Sequence, residues 1–492
     1  MMDVEEIFEE IMITPSNAPV YLLHGEEVNI WDEPFEYYHS RSPTEYIREK
    51  ILEFEKSGKD PFPDIVGKEK EKEMVKTALM SGSSILFKGK RGYGKTTFSK
   101  AIAKLLPDKL LAIKGCKIHD DPTRPTCFSC KKKVLHEREV ELEWVPRVWV
   151  RIPGDPMMTT RQLIGGISIQ KIREGYDLDH PEVFVPGRAL KANRGIGYYD
   201  ELGAIPTALQ TLLHELFEEG QITTPEGDVV PFHLNSIEIA STNPANYRGT
   251  SPIKEPLLDR MEQIEIGPPE SLEEEIEIGL RNSHYRKMEE VAKIPVWHMK
   301  ILARIVRYAR SKRCHIASKI TSEPSCRATI KLYDHVISYA IRNGKSVITL
   351  EDYGNNYDVV KLALGGRLEV TYEVETEKEK IIEKLVEEAI NRTCADIYAT
   401  IPREEFNFIL KEILSMGYKM NGTIKIELRE AVERLPEFKK VNELIQTLAE
   451  DKWMRLSALE ILLESIGRCT GLIRREYNHY VVEYDETRLQ AM

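Results

Sequence analysis

The sequence predicts an α/β fold, a parallel sheet sandwiched by helices, followed by a helical lid and a mostly helical C-terminal domain. Three observations predict it. Short apolar runs at Ile85, Leu86 and Phe87, at 196–199 and in "SIEIASTN" read as strands interleaved with helical patterning. "GKRGYGKT", from Gly89 to Thr96, lies between the first run and a segment in which Phe98, Ala101, Ile102 and Leu105 recur at helical spacing until Pro107. Beyond "GPPE", near residue 268, the pattern turns helical: "ATIKLYDHVISYAIRNGKSVITLEDY" has the helical period, a Gly344 stop and a Thr349 cap.

The 492 residues leave room for roughly three domains with sizeable cores. Net charge is −11, with 30% charged and 41% hydrophobic residues, which argues against a broad nucleic-acid-coating surface and leaves room only for a local basic groove. "MMDVEEIFEEIM" is acidic and amphipathic where a secretion signal would be basic and then apolar, and no apolar run is long enough to span a bilayer. A cytoplasmic protein without a membrane partner is expected. Seven cysteines, an odd count, favour reduced thiols or metal ligands over a disulfide framework.

The glycine-rich loop matches G-x-x-x-x-G-K-[ST] with strand and helix on the required sides. Successive backbone N–H groups of such a loop turn inward around phosphate oxygens, and Gly89, Gly92 and Gly94 permit the close approach. Lys95 is positioned to neutralise β- and γ-phosphates, and Thr96 to offer its hydroxyl to Mg²⁺ at the start of a helix. The expected nucleotide-binding stretch is Gly89, Lys90, Arg91, Gly92, Tyr93, Gly94, Lys95, Thr96 and Thr97. Downstream, "NRGIGYYDELGAIP" presents Asp200 and Glu201 at a strand end: Asp200 to hold the hydrated Mg²⁺, Glu201 to polarise an attacking water. The strand "SIEIASTN" ends in Asn243, a neutral side chain able to orient that water. "PLLDRMEQIEI" then places Arg260 at a helix end.

With these pieces in order, the stretch from about Phe62 to Arg367 resembles an AAA+ ATPase of the branch containing the magnesium-chelatase ATPase subunit and the MoxR proteins. "PFPDIVGKEKEKEMV", "GKRGYGKT", "RALKANRGIGYYDE", "STNP", "LLDR" and "SCRATI" carry the resemblance. The replicative MCM helicases share part of this succession. The resemblance implies that Ile65 and Val66 lie near adenine, that Asn243 is sensor 1, that Arg260 is the arginine finger reaching a neighbouring subunit's γ-phosphate, and that Arg327 is sensor 2 on the lid. It therefore also implies a homo-oligomer, a hexamer.

Two insertions are expected. A polar segment "KIREGYDLDHPEV" within about 165–190 stands where chelatase-like proteins interrupt their second helix, although a plain surface loop fits it equally. A hairpin spanning 220–235, with "PEGD" at its turn, precedes the sensor 1 strand. By resemblance both face the pore. Cys116, His119, Cys127 and Cys130 form C-x2-H-x7-C-x2-C in the loop 115–133, spacing that suits tetrahedral Zn²⁺; an Fe–S cluster and unliganded thiols are the alternatives. Cys314, Cys326, Cys394 and Cys469 are scattered singly and read as buried apolar side chains.

The expected domains are an N-terminal segment 1–58, the nucleotide-binding core 59–268, a helical lid 269–367 and a C-terminal domain 368–492, mostly helical with a short strand at "YVVEY" and open to a winged-helix or a partner-docking reading, with no motif for either. The function expected is that of a ring-forming ATP-hydrolysing motor or chaperone of the chelatase/MoxR type that remodels a protein. A DNA-dependent MCM-like motor is the competing class, disfavoured by net charge and by Glu226 and Asp228 at the hairpin turn, where DNA tracking calls for Lys or Arg. A metal-chelatase ATPase subunit is a third reading by analogy. No D-x-S-x-S metal-adhesion motif is present, so by resemblance a separate von Willebrand-type protein is the expected partner. A Lon-type protease is disfavoured for want of a second catalytic domain.

Overall fold

The computed structural model describes residues 11–39, 41–176, 183–220, 233–243, 252–285, 291–311, 318–371, 377–420, 422–446, 449, 452–477 and 479–483. The chain forms two compact units, Met1–Gly267 and Pro268–Met492.

Five parallel strands organise the first unit: β1 (Ser84–Lys88), β2 (Trp149–Pro153), β3 (Ile196–Asp200), β4 (Ile237–Thr242) and β5 (Met261–Glu265), in the order β5-β1-β4-β3-β2. Side chains alternate across the sheet, so each strand feeds two cores. Ile85 and Phe87 of β1, Tyr198 of β3 and Ile239 of β4 pack with Phe98 and Ile102 of the helix Lys95–Ala103. Leu86, Tyr199 and Ala240 belong to the opposite core, with Leu213 and Leu216 of the helix Thr207–Glu219. Both faces being covered, the central strands need continuous apolar runs, and Ile85, Leu86 and Phe87 are each fully buried. Register sets β4 beside β1, with Thr242 opposite Lys88, and β2 beside β3, with Pro153 opposite Asp200. The polar C-terminal ends of β1, β3 and β4 therefore converge at one edge.

A second sheet joins distant parts of the chain. Val20–Leu23 pairs parallel with Glu139–Pro146, which pairs antiparallel with Lys109–Ile113, and Glu26–Val28 covers the outer edge. The boundary expected at residue 58 therefore separates no unit, because strands from the N-terminal segment complete a sheet whose other members lie beyond it. Within 165–190, Gly165–Ile167 pairs antiparallel with Phe184–Pro186, and the short helix Ile169–Arg173 lies between them; residues 177–182 are outside the described residues. Most of the expected hairpin, 221–232 with Glu226 and Asp228, is also outside them. At its base the Leu234 N–H donates to Gly220 O at 2.7 Å.

In the second unit the helices Leu272–Asn282, Val296–Arg310, Cys326–Arg342 and Lys378–Tyr398 share one continuous core with the C-terminal elements, uniting Ile301, Leu332, Leu385, Leu459 and Tyr480. The lid and C-terminal segment expected to part near 367 thus pack as one body. The C-terminal part holds more sheet than the single strand expected. Tyr418–Met420, Thr423–Glu427, His479–Glu483 and Ile473–Glu476 lie side by side in that order, all antiparallel. Helix Phe406–Met416, strand Thr423–Glu427, helices Leu428–Glu433, Lys439–Gln446 and Lys452–Thr470, then two strands, follow winged-helix order with one helix more and with the strand Tyr418–Met420 added. Every residue from Leu456 to Ile466 is buried, so the last helix of that arrangement, Lys452–Thr470, has no free face along this stretch. Among the described residues, no helix is long and apolar enough to cross a membrane.

Candidate nucleotide site

The loop after β1 bends where its glycines allow. Gly89 has φ 154°, and a Cβ there would stand 2.2 Å from Ile266 O. Gly94 has φ 97°, and nothing lies within 4 Å of the place a Cβ would take, so its glycine answers to backbone conformation and leaves space over the loop. Lys95, only 7% exposed, turns its ammonium back into the loop mouth: Nζ donates to Gly89 O, to Lys90 O at 3.0 Å and to Asn243 Oδ1 at 3.4 Å. Lys95 and Asn243, far apart in sequence, meet because β1 and β4 are neighbours.

A chain of hydroxyls ties the helix start to the acidic strand end. Thr96 Oγ1 is 3.0 Å from Tyr198 Oη, which donates to Asp200 Oδ1 at 3.2 Å, and Ser241 Oγ donates to the same oxygen at 2.9 Å. Arg151 Nε donates to Asp200 Oδ2 at 3.0 Å. Burial works to raise the Asp200 pKa, but the Arg151 guanidinium and the Ser241 hydroxyl outweigh it and hold the carboxyl below the usual aspartate range. Glu201 sits in the left-handed region with φ 61°; its N–H donates to Ser241 Oγ at 3.1 Å, and its Oε2 accepts from Arg91 Nη2 at 2.9 Å.

The structure thus gathers Lys95, Thr96, Asp200, Glu201, Asn243 and Arg91. A hydroxyl and an ionised carboxylate joined through one tyrosine are hard oxygen donors of the kind Mg²⁺ takes, and Thr96 and Asp200 are the residues that fit it. Asn243 Nδ2 is buried with no hydrogen-bond partner among the described residues, so a donor is left over at this site.

The remaining expected residues differ in burial and partners. Lys90 and Thr97 are exposed, while Gly92 and Tyr93 are half-buried. Ile65 and Val66 are both buried, Ile65 within the core that holds Phe98. Arg260 follows the short helix Glu255–Asp259 and binds Glu218, with Nε donating to Oε2 at 2.8 Å. Arg327 belongs to the second unit, exposed on the first turn of Cys326–Arg342.

Four contributors escape a sequence reading: Arg151, Gly154, Tyr198 and Ser241. Gly154 N–H donates to Asp200 O at 2.6 Å, and a Cβ on Gly154 would stand 2.1 Å from Glu201 O. Only "RIPG" as a strand ending in glycine hints at this crossing.

The cysteine loop differs from expectation in one ligand. Donor atoms of Cys116, Asp120, Cys127 and Cys130 all lie within 4.8 Å of one another, and His119 is not among them. His119 occupies a left-handed turn with φ 57°, after which the Asp120 N–H donates to Cys116 Sγ at 3.4 Å; the turn brings in the following residue instead. Of the scattered cysteines, Cys326 and Cys394 are buried, but Cys469 is exposed because it stands on the last turn of Lys452–Thr470, where that helix leaves the core; Cys314 is outside the described residues.

A phosphate-binding loop after β1, paired acids after β3 and a polar residue after β4, on a sheet ordered β5-β1-β4-β3-β2, match the AAA+ fold. Within that class the chain is homologous to the magnesium-chelatase subunits of the ChlI/BchI type. It is 27% identical over 235 residues to the magnesium-chelatase 38 kDa subunit of Acidiphilium rubrum, covering 46% of this chain and 64% of that subunit. It is 24% identical over 327 residues to a magnesium-chelatase subunit ChlI homolog of Methanocaldococcus jannaschii, covering 63% of this chain and 85% of the homolog. The chain thus spans somewhat less than two thirds of the Acidiphilium subunit's length. A chain of the BchI–BchD complex of magnesium chelatase, described by single-particle cryo-EM, aligns at 22% identity and a TM-score of 0.34, covering 64% of this chain and 98% of that one. No family model matches.

Proposed function

We propose that this chain hydrolyses ATP with Mg²⁺ as a ring-forming cytoplasmic motor of the chelatase/MoxR type, hexameric, acting on a protein partner. One observation carries the reading: at three neighbouring strand ends Lys95 meets Asn243 directly, while Thr96 and Asp200 are joined through the Tyr198 hydroxyl and Asp200 and the Glu201 backbone through the Ser241 hydroxyl. Bound Mg²⁺–ATP would supply the polarised γ-phosphate. Lys95 binds phosphate charge, Thr96 and Asp200 hold the metal, Asn243 orients water with its spare amide, and Glu201 takes the water's proton once Arg91 releases its carboxylate. Gly89, Lys90, Arg91, Gly92, Tyr93, Gly94 and Thr97 line the phosphates, Ile65 and Val66 the base, Arg327 acts as sensor 2, and Arg260 reaches a neighbour's site.

The client we propose is a protein with a von Willebrand-type domain. The names of the homologous chelatase subunits favour a second reading, the motor subunit of a metal chelatase. DNA is the less favoured client, because the helix that winged-helix order would send into a groove is buried from Leu456 to Ile466. The test is phosphate release by the purified chain, followed by affinity capture with Glu201→Gln in ATP. Absence of Mg²⁺-dependent hydrolysis, with or without added partner, sinks the ATPase. A captured von Willebrand-type protein supports the preferred client; DNA retained at moderate salt with no protein overturns it.

A further inference from the structure

We infer that Cys116, Asp120, Cys127 and Cys130 form a structural Zn²⁺ site that clamps the N-terminal strands to the stretch leading into β3. Cys116 Sγ and Cys127 Sγ are 3.9 Å apart. A tetrahedron with Zn–S bonds of about 2.3 Å has sulfur–sulfur edges of about 3.8 Å, whereas a disulfide would hold the two atoms at about 2.05 Å. The spacing is that of two thiolates sharing one ion.

Asp120 supplies the independent sign. Its side chain has no exposure, its Oδ2 accepts the Cys127 N–H at 2.8 Å, and its Oδ1 is buried without a hydrogen-bond partner among the described residues. A carboxylate oxygen left so in the interior is costly unless a cation meets it. Cys127 is the N-cap of the helix Phe128–His136 and Cys130 lies in its first turn, so one helix start presents both sulfurs to the same centre. Three soft sulfurs and one carboxylate select Zn²⁺ over Mg²⁺ or Ca²⁺, which take oxygen.

The loop that these ligands close is gripped from both sides. Asn193 Nδ2 donates to Ile118 O at 3.0 Å, and the buried Arg194 donates to His119 O at 3.2 Å, to Leu111 O at 2.7 Å and to Tyr38 O at 3.0 Å. Arg194 stands two residues before β3, the strand that carries Asp200. On the other side Tyr21 Oη donates to Pro122 O at 2.8 Å, and Ile13 N–H to Thr123 O at 2.8 Å. Metal binding therefore adds folding free energy to a junction that holds the N-terminal sheet and the start of β3 together.

Elemental analysis of the full chain, expressed with zinc supplied, is expected to find about one Zn²⁺ per chain. A strong chelator should remove it and lower the melting temperature, and one equivalent of Zn²⁺ should restore both. Asp120→Asn should weaken zinc retention at least about tenfold in competition with a chelator, the loss that removing even an outer partner of a metal ligand brings, while His119→Ala should retain zinc normally. Should the variants fold poorly, Co²⁺ exchanged into the wild-type chain must still show the intense visible bands of a tetrahedral site and a thiolate charge-transfer band. Metal-free chain with unchanged melting in zinc, iron with acid-labile sulfide, a Cys116–Cys127 disulfide in freshly isolated protein, or zinc lost from His119→Ala but kept by Asp120→Asn would each overturn the assignment.

Discussion

Arg260 is the residue whose proposed role the folded chain tests most sharply, because its guanidinium already has a partner. Its Nε and Nη2 both bind the Glu218 carboxylate, and Nη1 donates to Pro256 O at 2.6 Å. The Glu218 side chain is 54% exposed, and an ion pair so open to water contributes at most about 1 kcal/mol. An arginine that meets transition-state charge on a transferring phosphoryl contributes roughly 10³-fold in rate or more, which is about 4 kcal/mol. On the proposed role, the phosphoryl contact would outweigh the surface ion pair, and Arg260 would leave Glu218 when a neighbour's γ-phosphate is within reach. Arg260→Ala should therefore bind ATP almost normally and hydrolyse it about 10³-fold more slowly. Glu218→Ala, which removes only the resting contact, should change turnover by less than about fivefold, the most that an ion pair of about 1 kcal/mol allows. Steady-state phosphate release and equilibrium binding of a fluorescent ATP analogue separate the two effects. Mixing gives a further readout, since inactive Arg260→Ala and Glu201→Gln chains should regain some activity where an intact Glu201 faces an intact Arg260. Equal losses for Arg260→Ala and Glu218→Ala, or mixed oligomers proven by cross-linking that stay inactive, would refute the shared site.

Lys95→Ala should abolish measurable ATP binding, and Glu201→Gln should preserve binding while losing hydrolysis; a titration showing parental affinity for Lys95→Ala contradicts the phosphate assignment. Gly154→Ala sets a Cβ 2.1 Å from Glu201 O and 3.0 Å from Asp200 O, so the acidic turn must shift; turnover should fall more than about tenfold with a stability loss of about 1–3 kcal/mol, and unchanged kcat would show that the turn is not held there. His298, wholly buried between Tyr353 Oη at 2.9 Å and Ser457 Oγ at 3.0 Å, has its pKa pushed down to about 3 by burial and then by the Lys345 charge. Its folded pKa lies below its unfolded value of about 6.5, so the stability it contributes is complete above that value and is lost as pH falls toward 3. The loss reaches about 1.4 kcal/mol at pH 5.5; denaturant unfolding from pH 8 to 5.5 should show a shallower acid slope in His298→Gln, and parallel profiles would contradict the assignment.

What could be read from the sequence is what depends on contiguous backbone. The phosphate loop was legible because strand, glycines, Lys95 and Thr96 follow one another within a dozen residues, and their chemistry needs that continuity. Asp200, Glu201 and Asn243 were legible for the same reason, each being a polar residue that ends an apolar run. The contacts that make a site of them depend instead on strand register, which no local pattern encodes. Tyr198 reads as an ordinary buried strand aromatic until β3 is placed near the helix that begins at Lys95; then its hydroxyl joins Thr96 to Asp200. Ser241 reads as part of a turn signal until β4 lies between β1 and β3, where its hydroxyl donates to Asp200 and accepts the Glu201 N–H. The same limit explains the N-terminal strands, paired with residues far along the chain, and the exchange of His119 for Asp120, decided by one left-handed residue. These register-set hydroxyls also bear on mechanism. Tyr198 and Ser241 share Asp200 Oδ1, so a metal that takes that oxygen must compete with both hydrogen bonds, and Ser241 is the group through which the competition reaches the backbone of Glu201. A bound metal and the position of the proposed base would thus be coupled through one serine side chain, whose contacts with both acids exist only because the sheet places β4 between the other two strands.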